Sequence, residues 1–200
     1  MAPAGALDRL ERSMRAIQAV HPKSRWPEPE AAVAALIWDV KRAPSLVLMR
    51  RSMLVHHYKG HIAFPGGSRE REDSSLRDTA IRETVEELGV RSEDIELWGD
   101  LDSVTTSDGM TVRPFTGRLN PAAILDPDPG EVGSILTVAV QDLIRIDSER
   151  DETRLIDGKL ISRPAYSYNG NVVWGATARI LAQLIPIARS AWEEAGRPIE

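Results

Sequence analysis

A group of acidic residues with a defined helical spacing is the part of this chain that could do chemistry. Glu83, Glu86 and Glu87 follow Arg82 within the eight residues that end at Gly89. Carboxylates at i, i+3 and i+4 repel one another, and the last two would lie at the negative end of the helix dipole. A hard divalent cation takes oxygen ligands and would relieve that repulsion. The spacing therefore predicts a site for Mg²⁺ or Mn²⁺.

The flanking residues predict the helix that would hold these acids. Ser74 or Ser75 can cap its N-terminus, Gly89 can end it in the left-handed conformation, and residues 75–88 contain no Pro or Gly. At 100° per residue, one face carries three apolar residues that we expect to meet the core: Ile81, Val85 and Leu88. The three glutamates fall on the opposite face. A solvated acidic surface is the alternative interpretation, and the Gly-Gly and Arg-Glu pairs before the last acids make it less favoured.

The same segment resembles the Nudix box, in which a Gly and an acid precede Arg-Glu-x-x-Glu-Glu-x-Gly and an apolar residue. The matching residues are Gly67, Asp73, Arg82, Glu83, Glu86, Glu87, Gly89 and Val90. The acid here is Asp73 instead of the usual Glu, and the interval from Gly67 to Arg82 is one residue longer than usual. In both features the chain resembles the coenzyme A pyrophosphatase-like subfamily of Nudix hydrolases.

A second signature of that subfamily precedes the box. The chain matches it from Val47 to Ser52 and in the Phe-Pro-Gly-Gly of residues 64–67. The chain departs from this signature at three positions, where Met49 replaces Thr, His56 replaces Arg and His61 replaces Gln. Further similar segments lie at residues 111–115 and 174–181, so the resemblance covers roughly residues 31–185.

The resemblance implies hydrolysis of a diphosphate by water with the help of a divalent metal. It would make Glu83, Glu86 and Glu87 the metal ligands, add the carbonyl of Gly67, and give Arg82 the role of orienting the glutamates. The resemblance makes Asp73 structural. The general base is left open between Glu83 and Glu131, which resembles a downstream acid in a later loop.

The substrate-binding candidates lie before the box. They are Arg51, Ser52, His56 and His61. The resemblance implies coenzyme A as substrate, cleaved to 3′,5′-ADP and 4′-phosphopantetheine. Because His56 and His61 depart from the pattern, another nucleoside diphosphate derivative, such as an ADP-sugar or a dinucleotide, stays open. A catalytically silent, nucleotide-sensing domain is the third interpretation, and the intact glutamates argue against it.

Composition excludes several other classes of protein. The 200 residues carry a net charge of −5, are 42% hydrophobic and include no Cys, so thiolate sites and disulfides are excluded. An acidic balance disfavours nucleic-acid binding, and no apolar run approaches the roughly 20 residues of a membrane span. We therefore expect a cytoplasmic protein that binds a small nucleotide and neither nucleic acid nor membrane. Basic residues and histidines between 41 and 61 form a patch suited to a polyanion.

The remaining pattern predicts the elements that must position these residues. An amphipathic helix and a connector occupy residues 1–30, and the Nudix-like domain occupies residues 31–200. The helix is expected to pack on the domain or on a partner subunit, which leaves a homodimer open. Strands are predicted at 31–38, 45–49, 95–104, 110–119 and 132–138, with a hairpin in 152–173 and a long helix at 176–194. The resemblance implies an α/β fold, an α/β/α sandwich with a mixed sheet.

Overall fold

A computed structural model of the chain describes residues 5–17, 30–40, 43–145, 149–156 and 158–195. The helices are α1 (Ala6–Ile17), α2 (Leu76–Leu88), α3 (Val140–Leu143) and α4 (Gly175–Glu194). The strands are β1 (Ala31–Val40), β2 (Ala43–Arg51), β3 (Ile62–Ala63), β4 (Gly66–Ser68), β5 (Ile95–Asp100), β6 (Val104–Thr105), β7 (Thr111–Leu119), β8 (Val132–Ala139), β9 (Glu149–Ile156), β10 (Lys159–Tyr168) and β11 (Asn171–Val173).

A mixed sheet forms the centre of the molecule. Its strands lie in the order β3-β2-β1-β7-β5, with β4 paired to β1, β6 to β7 and β8 to β2. β1 and β7 run parallel, from Ala31 opposite Val112 to Trp38 opposite Leu119, whereas β1 pairs antiparallel with β2 and β4. The last three strands form a second, antiparallel sheet in the order β11-β10-β9.

β1 is buried on both faces because its alternating side chains enter two different cores. Ala35 and Ile37 join the core that contains residues of α1 and α4, whereas Ala34 and Leu36 join the core that contains residues of α2. A strand whose successive side chains are all apolar requires cover on both sides. Helices cover both faces of the mixed sheet, which confirms the predicted α/β/α sandwich.

The N-terminal helix packs on the domain itself. Ala6, Leu10 and Met14 of α1 are at most 2% exposed and lie in the same core as α4. At the rim, Arg15 pairs with Glu96 of β5. The connector predicted between α1 and β1 lies outside the described residues.

The segment predicted as one strand at 95–104 forms two strands, β5 and β6. Between them, Leu101 donates its backbone N–H to Pro114. Asp102 leaves the strand ladder because the side chain of Gln183 binds both its backbone N–H, at 2.9 Å, and its carbonyl, at 3.1 Å. The prediction of a single strand was therefore wrong, since a side chain of α4 takes hydrogen bonds that a strand would have used.

The buried face of α2 is rotated relative to the predicted one. The fully buried residues are Thr79, Ala80, Thr84, Glu87 and Leu88. Ile81 and Val85 are half-buried and pack at the edge of the core. The small Ala80 and Thr84 allow the helix to approach the sheet closely. The prediction that all three glutamates lie opposite the core was wrong, because this rotation turns Glu87 inward.

Candidate active site

The ends of α2 are fixed by the residues that the sequence indicates. The Ser75 hydroxyl accepts a hydrogen bond from the backbone N–H of Asp78, and Gly89 adopts φ 65° as the C-cap. A Cβ at Gly89 would stand 2.0 Å from the carbonyl oxygen of Asp126. The chain crosses there because Asp126 and Asp128 donate backbone N–H groups to the carbonyls of Leu88 and Glu87. A loop from elsewhere in the sequence thus caps the C-terminal end of the helix.

Arg82 organises the acidic surface of α2. Its Nε and Nη2 donate to the two carboxylate oxygens of Asp73, each at 3.0 Å, and Nη2 also donates to the carbonyl of Ser68. Its Nη1 donates to Glu83 at 3.0 Å and to Glu86 at 2.9 Å. The Arg82 guanidinium therefore binds the carboxylates of both Glu83 and Glu86 and connects them to Ser68 of β4.

Asp73 anchors that guanidinium from a buried position. It is 7% exposed, and it also accepts hydrogen bonds from the backbone N–H of Glu70 and the hydroxyl of Thr79. The bonds from Arg82, followed by that from Glu70, hold the pKa of the Asp73 carboxyl well below its usual range. These contacts are those of a structural anchor, the role that the resemblance implied for Asp73.

Glu83 lies directly over Gly67. A Cβ added to Gly67 would come within 2.6 Å of the Glu83 carboxylate, so only Gly leaves room for that carboxylate at β4. Burial raises the pKa of Glu83 above its ordinary value, and the neighbouring Glu86 and Glu131 add to that rise against the opposing effect of Arg82. The negative charges of Glu86 and Glu131 therefore both act on the Glu83 carboxyl.

Glu87 is the most deeply buried of the acids. It is 1% exposed, it accepts the backbone N–H of Gly66 at 2.8 Å, and Nη1 of Arg51 lies 3.5 Å away. Burial raises the pKa of Glu87 to about 8, and these two contacts only partly oppose that effect. A carboxylate in this position lacks enough positive charge around it.

The bulge in β2 directs Arg51 toward this acid. The register of β2 with β8 shifts between Arg50, opposite Ser134, and Arg51, opposite Val132. The side chain of Arg50 binds the carbonyl of Gly60 and the side chain of Asn171, whereas Arg51 reaches Glu87. A bulge at a strand end commonly re-aims a side chain in this way.

Ser52 fixes the loop that carries Glu131. Its backbone N–H donates to the carbonyl of Glu131 at 2.8 Å, and its hydroxyl donates to the carbonyl of Pro129 and accepts from Leu54. Glu131 is exposed, yet its charge helps to raise the pKa of both Glu83 and Glu87. The structure thus brings the downstream acid beside the glutamates of α2, and the Ser52 hydroxyl is engaged with the loop.

The donor set suits a hard divalent cation. Carboxylate oxygens and a backbone carbonyl are the ligands of Mg²⁺ and Mn²⁺. Among the described residues no three acidic or imidazole side chains already converge in a ready coordination site. Glu83 and Glu86 instead share Nη1 of Arg82, and burial raises the pKa of Glu87 despite its contacts with Gly66 and Arg51. A cation would supply positive charge beside them, so these residues fit a divalent metal.

A cavity of about 420 Å³ adjoins the glutamates. Gly66, Gly67 and Arg51 line it, and its apolar wall includes Phe64 and Val112. That volume lies within the range of about 300–1,000 Å³ that is typical of small-molecule sites. His61, which also lines it, has ring contacts with two further lining residues, Tyr58 and Trp174.

The two predicted histidines occupy different places. His61 lines the cavity, with its ring centre 4.6 Å from that of Trp174 in an edge-to-face arrangement. His56 is exposed and is not among the cavity-lining residues, whereas its neighbour His57 is. Arg163 of β10 and Arg179 of α4 also line the cavity. Arg179 lies in the similar segment at residues 174–181, where no role was predicted for it, and no short local motif marks Arg163.

Comparisons with known proteins show the family of this chain. The NUDIX domain family model matches residues 28–158. The chain is 33% identical over 144 residues to the uncharacterized Nudix hydrolase NudL of Photorhabdus laumondii, covering 72% of this chain and 77% of that one. It is 31% identical over 155 residues to the mitochondrial coenzyme A diphosphatase NUDT8 of Mus musculus, covering 75% of this chain and 73% of that one.

A solved structure supports the fold alone. The binary complex of a C. elegans Ap4A hydrolase matches with a TM-score of 0.50 and 19% identity, over 58% of this chain and 85% of that one. No helix within the described residues is both long enough and apolar enough to cross a membrane. Family model, relatives and the box on α2 lead to one assignment: the chain belongs to the Nudix family and is a hydrolase that cleaves a diphosphate bond.

Proposed function

We propose that this enzyme hydrolyses the diphosphate of coenzyme A or its derivatives, giving 3′,5′-ADP and 4′-phosphopantetheine. The observation that carries the proposal is the cavity of about 420 Å³ that Gly66, Gly67 and Arg51 line beside the glutamates of α2. Its apolar wall and its arginines suit a ligand that is part anionic and part apolar. The coenzyme A-type signature of the sequence and the similarity to a relative named as a coenzyme A diphosphatase support this choice.

The acids of α2 are proposed to hold the cation. Glu83, Glu86 and Glu87 supply carboxylate oxygens, and the carbonyl of Gly67 is the additional ligand. Bound there, Mg²⁺ or Mn²⁺ would neutralise phosphoryl oxygens and lower the pKa of water. Arg82 orients Glu83 and Glu86 through the hydrogen bonds of its Nη1, and Asp73 holds Arg82 in turn.

Hydrolysis then needs a water, a base and a held diphosphate. The oxygen of water forms a bond to one phosphorus, the bond from that phosphorus to the bridging oxygen breaks, and the water proton passes to a carboxylate. Glu83 and Glu131 remain the two candidates for that base, and the charges of both raise the pKa of Glu87. Arg51 lines the cavity and is proposed to bind a phosphoryl oxygen.

The other substrate candidates have smaller proposed roles. His61 contacts the substrate from the cavity wall, next to Trp174. Ser52 supports the loop of Glu131 through the hydrogen bonds of its hydroxyl and backbone. His56 could meet only the part of a substrate that extends out of the cavity, because it does not line it.

A second candidate is the same chemistry on another nucleoside diphosphate derivative. The departures at His56 and His61 favour it, because they fall in the segment that resembles the coenzyme A signature. A silent, nucleotide-sensing domain is not favoured, since the box acids, Arg82 and Asp73 are all present and connected.

Product analysis tests the proposal. We would incubate the full chain with coenzyme A, ADP-ribose and a dinucleotide, with Mg²⁺, with Mn²⁺ and with a chelator, and identify products by chromatography and mass spectrometry. We expect 3′,5′-ADP and 4′-phosphopantetheine from coenzyme A, and no turnover with the chelator. Faster cleavage of ADP-ribose than of coenzyme A under both metals would overturn the coenzyme A assignment.

A further inference from the structure

Two arginines that line the cavity have no role in the hydrolysis described above. Arg163 lies on β10 and Arg179 lies one turn into α4, and both line the cavity. Both also fall after residue 158, where the match to the family model ends. Both arginines therefore lie in the C-terminal part of the chain, beyond the residues that the family model matches.

The charge of Arg179 is poorly compensated among the described residues. Its Nη2 donates to the carbonyl of Thr105, but its Nε is buried and has no hydrogen-bond acceptor there. Burial lowers the pKa of Arg179, and the positive charge of Arg163 lowers it further. Two cations that repel each other beside a cavity form a place where an anion would be strongly favoured.

The described lining of the cavity contains one acidic residue, and Arg163 stands opposite Glu152 in the register of β10 with β9. Among the described residues that line the cavity, Asp108 is the sole carboxylate, and the Thr106 hydroxyl donates to it. The arginines of β2 differ in this respect, because Arg51 faces Glu87 and Arg50 binds Gly60 and Asn171. Arg50, part of the basic patch seen in the sequence, is thus occupied as a brace between elements.

The start of α4 also lies at the cavity. Within the described residues, the N-cap residue Trp174 makes no side-chain capping hydrogen bond, and Gly175 and Ala176 line the cavity. The positive end of the dipole of this 20-residue helix therefore lies at the cavity lining, as Arg179 does. The helix end adds to the positive potential at the cavity, which comes mainly from the two arginines.

We propose that Arg163 and Arg179 form a subsite for a phosphate monoester on the nucleoside of the substrate, which in coenzyme A is the 3′-phosphate. The inference rests on the proposed function, which puts the diphosphate at the glutamates of α2 and leaves the cavity for the rest of the substrate. Guanidinium groups are suited to such a phosphate because their N–H donors match its oxygens in pairs. The subsite would therefore select substrates with this phosphate over those without it.

Coenzyme A and dephospho-coenzyme A differ only in this phosphate, so their kcat/KM ratio measures the subsite. We expect the wild-type enzyme to prefer coenzyme A by about 10- to 100-fold, the effect typical of a charge-assisted contact. Arg163→Gln and Arg179→Gln should each reduce that preference by lowering kcat/KM for coenzyme A alone. Arg179→Lys should restore part of it. Arg189→Gln is the matched control on the same helix, because Arg189 binds the carbonyl of Ile144 away from the cavity.

Nucleotide binding to the same proteins separates failure of the subsite from failure of the proposed function. Calorimetry would compare adenosine 3′,5′-bisphosphate with 5′-AMP, and we expect the wild type, but not the Gln variants, to bind the bisphosphate more tightly. If coenzyme A is not cleaved but this preference is present and lost in the variants, the function is wrong and the subsite stands. If coenzyme A is cleaved but neither ratio changes in correctly folded variants, the subsite is wrong and the function stands.

Discussion

The box segment and the cavity beside it differ in the sequence separation of the residues that form them. Between Gly66 and Gly89, one continuous segment contains the acids, their guanidinium and the helix that spaces them. The cavity instead combines the loop before β3 with Val112 on β7, Arg163 on β10 and the start of α4. Many contacts of the first region join residues close in sequence, such as those of Arg82 with Asp73, Glu83 and Glu86, whereas the second region joins segments that are far apart in the chain.

This difference predicts two kinds of mutational effect. Changes in the box segment should act on kcat for every substrate, because all substrates share the diphosphate. Changes in the cavity should act on KM and on the choice between substrates. The predictions below test that division, starting with the largest expected effect.

Glu87→Gln should lower kcat by more than about 100-fold, because it removes a proposed metal ligand. Substitution of a residue that only supports a ligand typically costs about 10- to 100-fold. The fold should not suffer, because Gln keeps an acceptor for the backbone N–H of Gly66, and burial already disfavours the charged form of Glu87 by raising its pKa. Initial rates at saturating Mg²⁺ and thermal melting measure both effects. Glu93→Gln, at an exposed acid outside α2, is the control. Near-native turnover in Glu87→Gln would disprove the metal site.

Gly67→Ala should lower kcat by about 10- to 100-fold with little change in melting temperature. The new Cβ must displace the Glu83 carboxylate, which now lies 2.6 Å from that position, and a flexible side-chain end can move without unfolding the protein. Gly133→Ala is the matched control, because its Cβ would meet its neighbours at 3.5 Å or more. Equal activity of the two variants would show that the position of Glu83 over Gly67 does not matter.

Asp73→Asn should reduce activity by about tenfold through Arg82 and should destabilise the protein in a pH-dependent way. The pKa of Asp73 is lowered in the folded state, so its carboxylate contributes stability above its ordinary pKa of 3.8, and that contribution is lost as the pH falls further. The difference in melting temperature between wild type and variant should therefore be largest near pH 7 and shrink below about pH 4. A difference that does not vary with pH would contradict this account of the Asp73 pair.

His61→Ala should raise KM a few-fold and leave kcat nearly unchanged, because His61 lines the cavity against Trp174. His56→Ala should change neither constant, since His56 is exposed and outside the lining. Steady-state kinetics of both variants with coenzyme A measure this, the smallest of the expected effects. A larger KM effect at His56 than at His61 would place the substrate outside the described cavity.

The sequence by itself determined the catalytic helix and much of its chemistry. Ser75 and Gly89 set its ends within a residue of the prediction, and the contact of Arg82 with Glu86 follows from their i, i+4 spacing. The mixed α/β sandwich also followed from the sequence, through resemblance to the Nudix family, because a family pattern carries its fold with it. These features depend on contacts between residues close together in the chain or on a motif that can be read directly.

The tertiary structure alone decided which acids are buried and what surrounds them. The rotation of α2 that turns Glu87 inward depends on how closely Ala80 and Thr84 let the helix approach the sheet. Arg51 reaches Glu87 because of a bulge in β2, and Arg163 and Arg179 meet at the cavity although they belong to different elements. Burial, pKa shifts and long-range charge pairs arise from contacts between segments far apart in sequence, so no local pattern contains them.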